Sequence, residues 1–156
     1  MADKFYLISA CLLGHKVRYD GRDCLVKELV DHLLPNQYVT ICPEVSGGLP
    51  IPRPSAEIQG GTGLEVLKSL AQVTDIQEQD VSTAFIQGAY AALELAQKFQ
   101  VTHAVLKANS PSCGSKLIYD GSFTGNKIQG DGVTAALFKQ HDIEVMTEDE
   151  FLQMIL

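Results

Sequence analysis

The chain has 156 residues, 46% of them hydrophobic, with 19 acidic against 12 basic side chains and a formal charge of −7. That length and apolar fraction fit one domain over residues 1–156 with one conventional core. The acidic balance disfavours a nucleic-acid groove or an anionic membrane surface; no stretch approaches the ~18 uninterrupted apolar residues of a membrane span, and no leader pattern opens the chain, so the sequence reads as cytoplasmic.

In chain order, FYLISA (5–10) is a short apolar run of strand length, and YVTIC (38–42), THAVLK (102–107) and IEVMT (143–147) share its length and β-branched content. Helical patterns lie between them. Leu25, Val26, Leu29, Val30, Leu33 and Leu34 recur at helical spacing until Pro35 stops them. Asp80 is placed to cap a long helix over Val81–Phe99, whose apolar stripe runs through Phe85, Gly88, Ala89, Ala92, Leu93 and Ala96. Gly88 costs that helix about 1 kcal/mol relative to alanine, which predicts close packing against another element. Asp131 is placed to cap a helix through Lys139, and residues 149–155 form a short terminal one. Strands alternating with helices predict an α/β fold, a three-layer α/β/α sandwich around a mainly parallel, Rossmann-like sheet. Residues 46–63 and 119–132, rich in glycine and proline, are its irregular regions; three prolines within five residues make the first a rigid loop rather than a linker.

Four cysteines, Cys11, Cys24, Cys42 and Cys113, are too scattered for the framework of a small secreted domain, and no CxxC pair occurs. The plain alternative for each is a buried, inert thiol. Cys11, Cys42 and Cys113, however, each follow a predicted strand at its carboxyl end, where open parallel sheets bind ligands; Cys24 lies instead near a helix start. A zinc site normally draws a ligand pair from one short spacing, absent here, whereas a cubane cluster accepts ligands from three separate loops and, with three cysteines, keeps one iron open. Beside them stand Glu44, a candidate general base or simply a helix cap, and Ser110 and Ser112, candidate substrate contacts or simply turn formers. Arg53 either faces the substrate or pairs with a carboxylate such as Glu57. Lys107 and Lys116 flank the Cys113 loop, where they balance the negative charge of a cluster or remain solvated.

The segments SACLLG and RYDG, CPEVSGGLPIPRPSAEI, KANSPSCG, YDGSFTG and GDGVTAAL, in this order and over nearly the whole chain, closely resemble the bacterial family that includes the thiouracil desulfidases. The resemblance implies a 4Fe-4S cluster held by Cys11, Cys42 and Cys113 with one open iron, a catalytic carboxylate at Glu44 and a catalytic serine at Ser110; Ser112 and Arg53 are candidate substrate contacts from their place beside these residues. It implies non-redox conversion of C=S to C=O on a small thiolated base such as thiouracil, with release of hydrosulfide. Two rival readings remain at this stage. One is a non-catalytic iron–sulfur or metal-binding sensor or carrier, which has no use for Glu44 beside an open iron. The other is a cluster-free enzyme with Cys113 as nucleophile, which would work under chelation.

Overall fold

The computed structural model describes residues 4–33 and 35–155. Its centre is a four-stranded parallel sheet built from the four apolar runs: β1 (Tyr6–Ser9), β2 (Tyr38–Ile41), β5 (His103–Leu106) and β8 (Glu144–Thr147), in the order β2-β1-β5-β8. Tyr38, Tyr6, His103 and Glu144 share one row, so the four carboxyl ends finish side by side. The chain leaves β1 for β2 on one side and reaches β5 on the other, which puts the switch in strand order between β1 and β5.

Side chains alternate across this sheet with the period of two that a strand imposes. Leu7, Ala104 and Leu106 enter a core shared with α4 (Ser82–Lys98) and α5 (Val133–Gln140). Tyr6, Ile8, Val105 and Met146 enter a second core, which holds Leu29 of α1 (Lys27–Asp31) and Phe151 of α6 (Glu148–Ile155). Tyr6 meets Phe151 edge-on at 5.4 Å between ring centroids. Layers of helix thus cover both faces, as the alternating pattern requires. The central strands β1 and β5 are accordingly nearly all apolar, while the edge strands β2 and β8 are only partly buried and keep polar positions.

Two antiparallel ribbons extend the sandwich near the carboxyl ends of the strands. β3 (Ala56–Gln59) pairs with β4 (Gln72–Asp75) around α3 (Gly63–Leu67), and β6 (Leu117–Tyr119) pairs with β7 (Lys127–Gln129). Both arise inside or beside stretches that read as irregular from sequence. The predicted helix from Leu25 is short, only Lys27–Asp31 being helical, and its expected Leu34 lies outside the described residues. Asp80 accepts from Ser82 N–H at 2.9 Å, one residue ahead of the cap position of α4, which Val81 occupies.

Asp131 does not cap α5. The first amides of that helix are already satisfied: Gly132, Val133 and Thr134 donate to the carbonyls of Gly114, Pro111 and Ser112 at 2.7, 2.8 and 2.8 Å. The four orphan donors of a helix start need partners of some kind, and here the cysteine loop supplies them. Asp131 instead accepts from Lys116 N–H and Lys139 Nζ.

The glycine in the stripe of α4 has its reason in α2 (Pro43–Ser46), the short helix that begins directly after Cys42. A Cβ on Gly88 would run into the carbonyl oxygen of Pro43, and one on Gly47 into that of Ala84. The two backbones touch because neither has a side chain there. Among the described residues no helix is long and apolar enough to cross a membrane.

Candidate functional site

The carboxyl ends of the parallel strands open into a cavity of about 400 Å³, within the ~300–1,000 Å³ typical of small-molecule sites. Three segments bring a thiol to it. Cys11 sits in the 3₁₀ turn Ala10–Leu13 that ends β1, Cys42 stands between β2 and α2, and Cys113 lies in the loop that follows β5. All three are free thiols on the cavity wall. Cys24 is not on that wall; its amide donates to Cys11 O at 2.8 Å, so it braces the first turn from behind.

Burial holds these thiols in their neutral form. It pushes Cys11 far up, with Cys113, Cys24 and Cys42 adding to the effect and Lys107 opposing it. Cys113 is pushed up to about 12, chiefly by burial and against the hydroxyl of Ser9. Cys42 is raised less, because the amides of Val45 and Glu44 and the Arg53 guanidinium favour its thiolate. Two buried sulfurs and one half-buried one facing the same space carry negative charge together only if a cation enters with them. Among the described residues, no three His, Cys, Asp or Glu side chains converge closely enough to hold a single metal ion. Three thiols carried by three separate segments are a soft donor set of the kind that an iron–sulfur cluster takes.

Glu44 follows Cys42 by two residues and lines the same cavity from the first turn of α2. Arg53 Nε donates to Glu44 Oε1 at 3.2 Å, while the rest of its guanidinium reaches Pro50 O at 3.1 Å and Val17 O at 3.0 Å. Arg53 thus pairs with Glu44, not with Glu57, and its side chain is only 4% exposed. Burial pushes the Glu44 carboxyl above the usual carboxylate range, and Arg53 and Arg18 offset this only in part. Glu44 Oε2 makes no hydrogen bond among the described residues.

The two serines of the Cys113 loop separate. Ser110 lines the cavity and accepts from Cys113 N–H at 2.7 Å, which leaves its own proton free to point outward. Ser112 is 1% exposed, shares a 2.8 Å hydrogen bond with Thr134 and does not line the cavity, so it offers a ligand no surface there. Lys107 lines the cavity but is paired with Glu148 at 3.2 Å; Lys116 lies away from it, paired with Glu150. No histidine lines the cavity.

Sequence reasoning passed over several lining residues. Ser9 ends β1 and touches Cys113; Glu57, weighed from sequence only as a partner for Arg53, lines the cavity from β3 and accepts from the Gly121 and Phe123 amides at 2.9 and 3.2 Å, which ties the 119–125 loop to that strand. Tyr119, Phe123 and Ile76 give that side an apolar wall. None has a sequence signal of its own; in the structure Phe123 has a φ of 58°, unusual for a bulky residue, which marks a held conformation.

A model of the 2-thiouracil desulfurase family matches residues 6–150. A curated relative, the uncharacterized protein YbbK of Bacillus subtilis (strain 168), is 43% identical over 147 residues, which cover 92% of this chain and 95% of that one. Among solved structures, that of the 4Fe-4S-dependent thiouracil desulfidase TudS superposes with a TM-score of 0.85 at 41% identity, covering 96% of this chain and 94% of that chain. The sequence motifs, the parallel sheet and the three-cysteine cavity thereby acquire a common origin: this chain belongs to the 2-thiouracil desulfurase family.

Proposed function

We propose that the protein removes sulfur from a small thiolated base such as thiouracil, converting C=S to C=O without redox change and releasing hydrosulfide. The observation that carries this reading is the placement of Cys11, Cys42 and Cys113 on one cavity wall together with Glu44 and Ser110. A sensor or carrier would need the thiols but neither the carboxylate nor the open volume beside them.

Cys11, Cys42 and Cys113 would hold a 4Fe-4S cluster, and Cys24 would not. When bound, the cluster supplies Lewis acidity through the iron that no cysteine covers. The chain's own residues supply the rest. Glu44, its carboxyl raised by burial and its Oε1 fixed by Arg53, presents Oε2 to take a proton from the attacking water. Arg53 would act on the substrate through Glu44, as a positioning residue. Ser110, already accepting from Cys113 N–H, has its hydroxyl proton available for an acceptor atom of the ring. Tyr119, Phe123 and Ile76 form the apolar side against which a planar ring packs and from which bulk water is displaced. Ser112 would serve by bracing the loop through Thr134.

The test is anaerobic purification with iron and sulfide analysis, followed by incubation with 2- and 4-thiouracil and detection of uracil and sulfide. Stoichiometric cluster and turnover are expected. Cluster-loaded protein that converts no thiolated base would overturn the enzymatic reading, and full turnover by iron-free protein would overturn the cluster.

A further inference from the structure

We infer that Ser9 is a positioning residue for the cluster site, its hydroxyl donating to Cys113 Sγ and drawing electron density from that ligand. The inference rests on the proposed cluster. Ser9 is the last residue of β1 and 3% exposed, at the switch in strand order where the cavity begins. Lys107 N–H donates to Ser9 Oγ at 3.0 Å, and Ser9 Oγ lies 3.5 Å from Cys113 Sγ. A hydroxyl has one proton and two lone pairs. With the Lys107 amide on a lone pair, the proton is directed to the sulfur, its one acceptor among the described residues.

This arrangement differs from that of the neighbouring hydroxyl in the sheet. Thr40 on β2 donates to Ile8 O at 2.9 Å, an ordinary backbone bond that needs no ligand. A buried hydroxyl is costly without good partners, and alanine would fill the position of Ser9 with little change in volume. A neutral thiol is a weak acceptor. A metal-bound thiolate is a strong one, since bonds to charged acceptors are roughly twice as strong as neutral ones. Among the described residues no side-chain donor reaches Cys11 or Cys42, and the Cys42 sulfur is faced by the Val45 and Glu44 amides, so the Ser9 hydroxyl acts on Cys113. Hydrogen bonds to ligand sulfur raise the reduction potential of iron–sulfur centres and make their irons more electrophilic. The serine would therefore make the irons stronger Lewis acids toward an incoming donor atom.

The experiment compares wild-type, Ser9→Ala and Ser9→Thr proteins, each loaded with cluster without oxygen. Iron content, reduction potential and the resonance Raman Fe–S(Cys) bands in H2O and D2O are measured. A D2O shift in the wild-type bands is expected, smaller in Ser9→Ala, where the amides facing Cys42 remain, and kept in full in Ser9→Thr, with a more negative potential in Ser9→Ala alone. An unchanged potential in Ser9→Ala, or wild-type bands insensitive to D2O, would overturn the inference while leaving the proposed function standing. If Ser9→Ala fails to load, Ser9→Gly takes its place, with the same reduced isotope shift and more negative potential expected and the same unchanged potential overturning the inference. Wild-type protein that takes up no iron would overturn the proposed site itself, and this inference with it.

Discussion

Cys42 and Cys113 face the same cavity but are held there by different means. The Cys113 loop is fixed by its own main chain: Gly114 N–H donates to Ser110 O at 2.9 Å, and the first amides of α5 close onto the carbonyls of residues 111–114. Cys42 is held by contact and charge. Its helix α2 rests on α4 through Gly47 and Gly88, and the carboxylate of that helix is tied by Arg53. Both supports use absent side chains, Gly47 and Gly88 at α2 and Gly114 and Gly132 at the Cys113 loop, where an added Cβ would meet the Ser110 and Ser112 carbonyls. Only the second joins its two segments by main-chain hydrogen bonds as well. The two cysteines should therefore respond differently to substitutions around them, and alike only to their own removal.

Their own removal is the largest effect. Cys42→Ala, Cys113→Ala and Cys11→Ala are each expected to abolish cluster retention, with Cys24→Ala loading normally; iron and sulfide analysis after anaerobic reconstitution checks all four. Normal loading in any of the first three would strike that residue from the ligand set. Next in size is Glu44→Gln, which keeps the shape of the Arg53 contact and loses the proton acceptor. Turnover per cluster should fall ~100-fold or more, within the usual range for a general base. A near-normal rate at equal iron content would reduce Glu44 to a brace for α2.

Gly88→Ala tests the contact that holds Cys42. The added methyl meets the Pro43 carbonyl, and overpacking of this kind costs about 1–3 kcal/mol. A lower melting temperature and faster amide exchange in α2 are expected, with exchange around Cys113 unchanged. Equal loosening of both segments would mean that the two supports are not independent.

The same contrast explains what could be read from the sequence. The four parallel strands were legible because each carries a short run of apolar and β-branched residues, and Gly88 was legible as a packing glycine because it interrupts an otherwise apolar helix stripe. The two antiparallel ribbons were not. β7 is exposed throughout and β6 has only Ile118 fully buried, so neither carries the apolar signal of a strand. Three cysteines at strand ends pointed to the site, yet the partners that orient it lie far off in sequence. Ser9 and Cys113 are separated by 104 positions, and a serine ending a buried strand has no periodicity to betray it. Arg53 lies nearer to Glu57 than to Glu44 in sequence, but the loop turns its guanidinium back toward α2. Only the fold supplies that distance.

The smallest expected effect lies where the Cys113 loop leaves toward β6. Lys116 has a φ of 72° and its ammonium bonds the Glu150 carboxylate of α6, an ion pair from outside the main-chain framework. Lys116, with help from the Thr147 amide, holds the Glu150 carboxyl below its ordinary value of 4.5. A depressed carboxyl stabilises the fold at pH above the unfolded value, and that contribution is lost as pH falls through the lower folded value. The pair is partly exposed to solvent, so it is worth less than about 1 kcal/mol. Glu150→Gln should therefore melt slightly below wild type at neutral pH, with the gap closing as pH drops below 4.5. Cluster retention should be unchanged throughout, because the carbonyl clasp on α5 holds Cys113 without it. Loss of iron from Glu150→Gln at neutral pH would show that the loop depends on its exit as well as on its backbone.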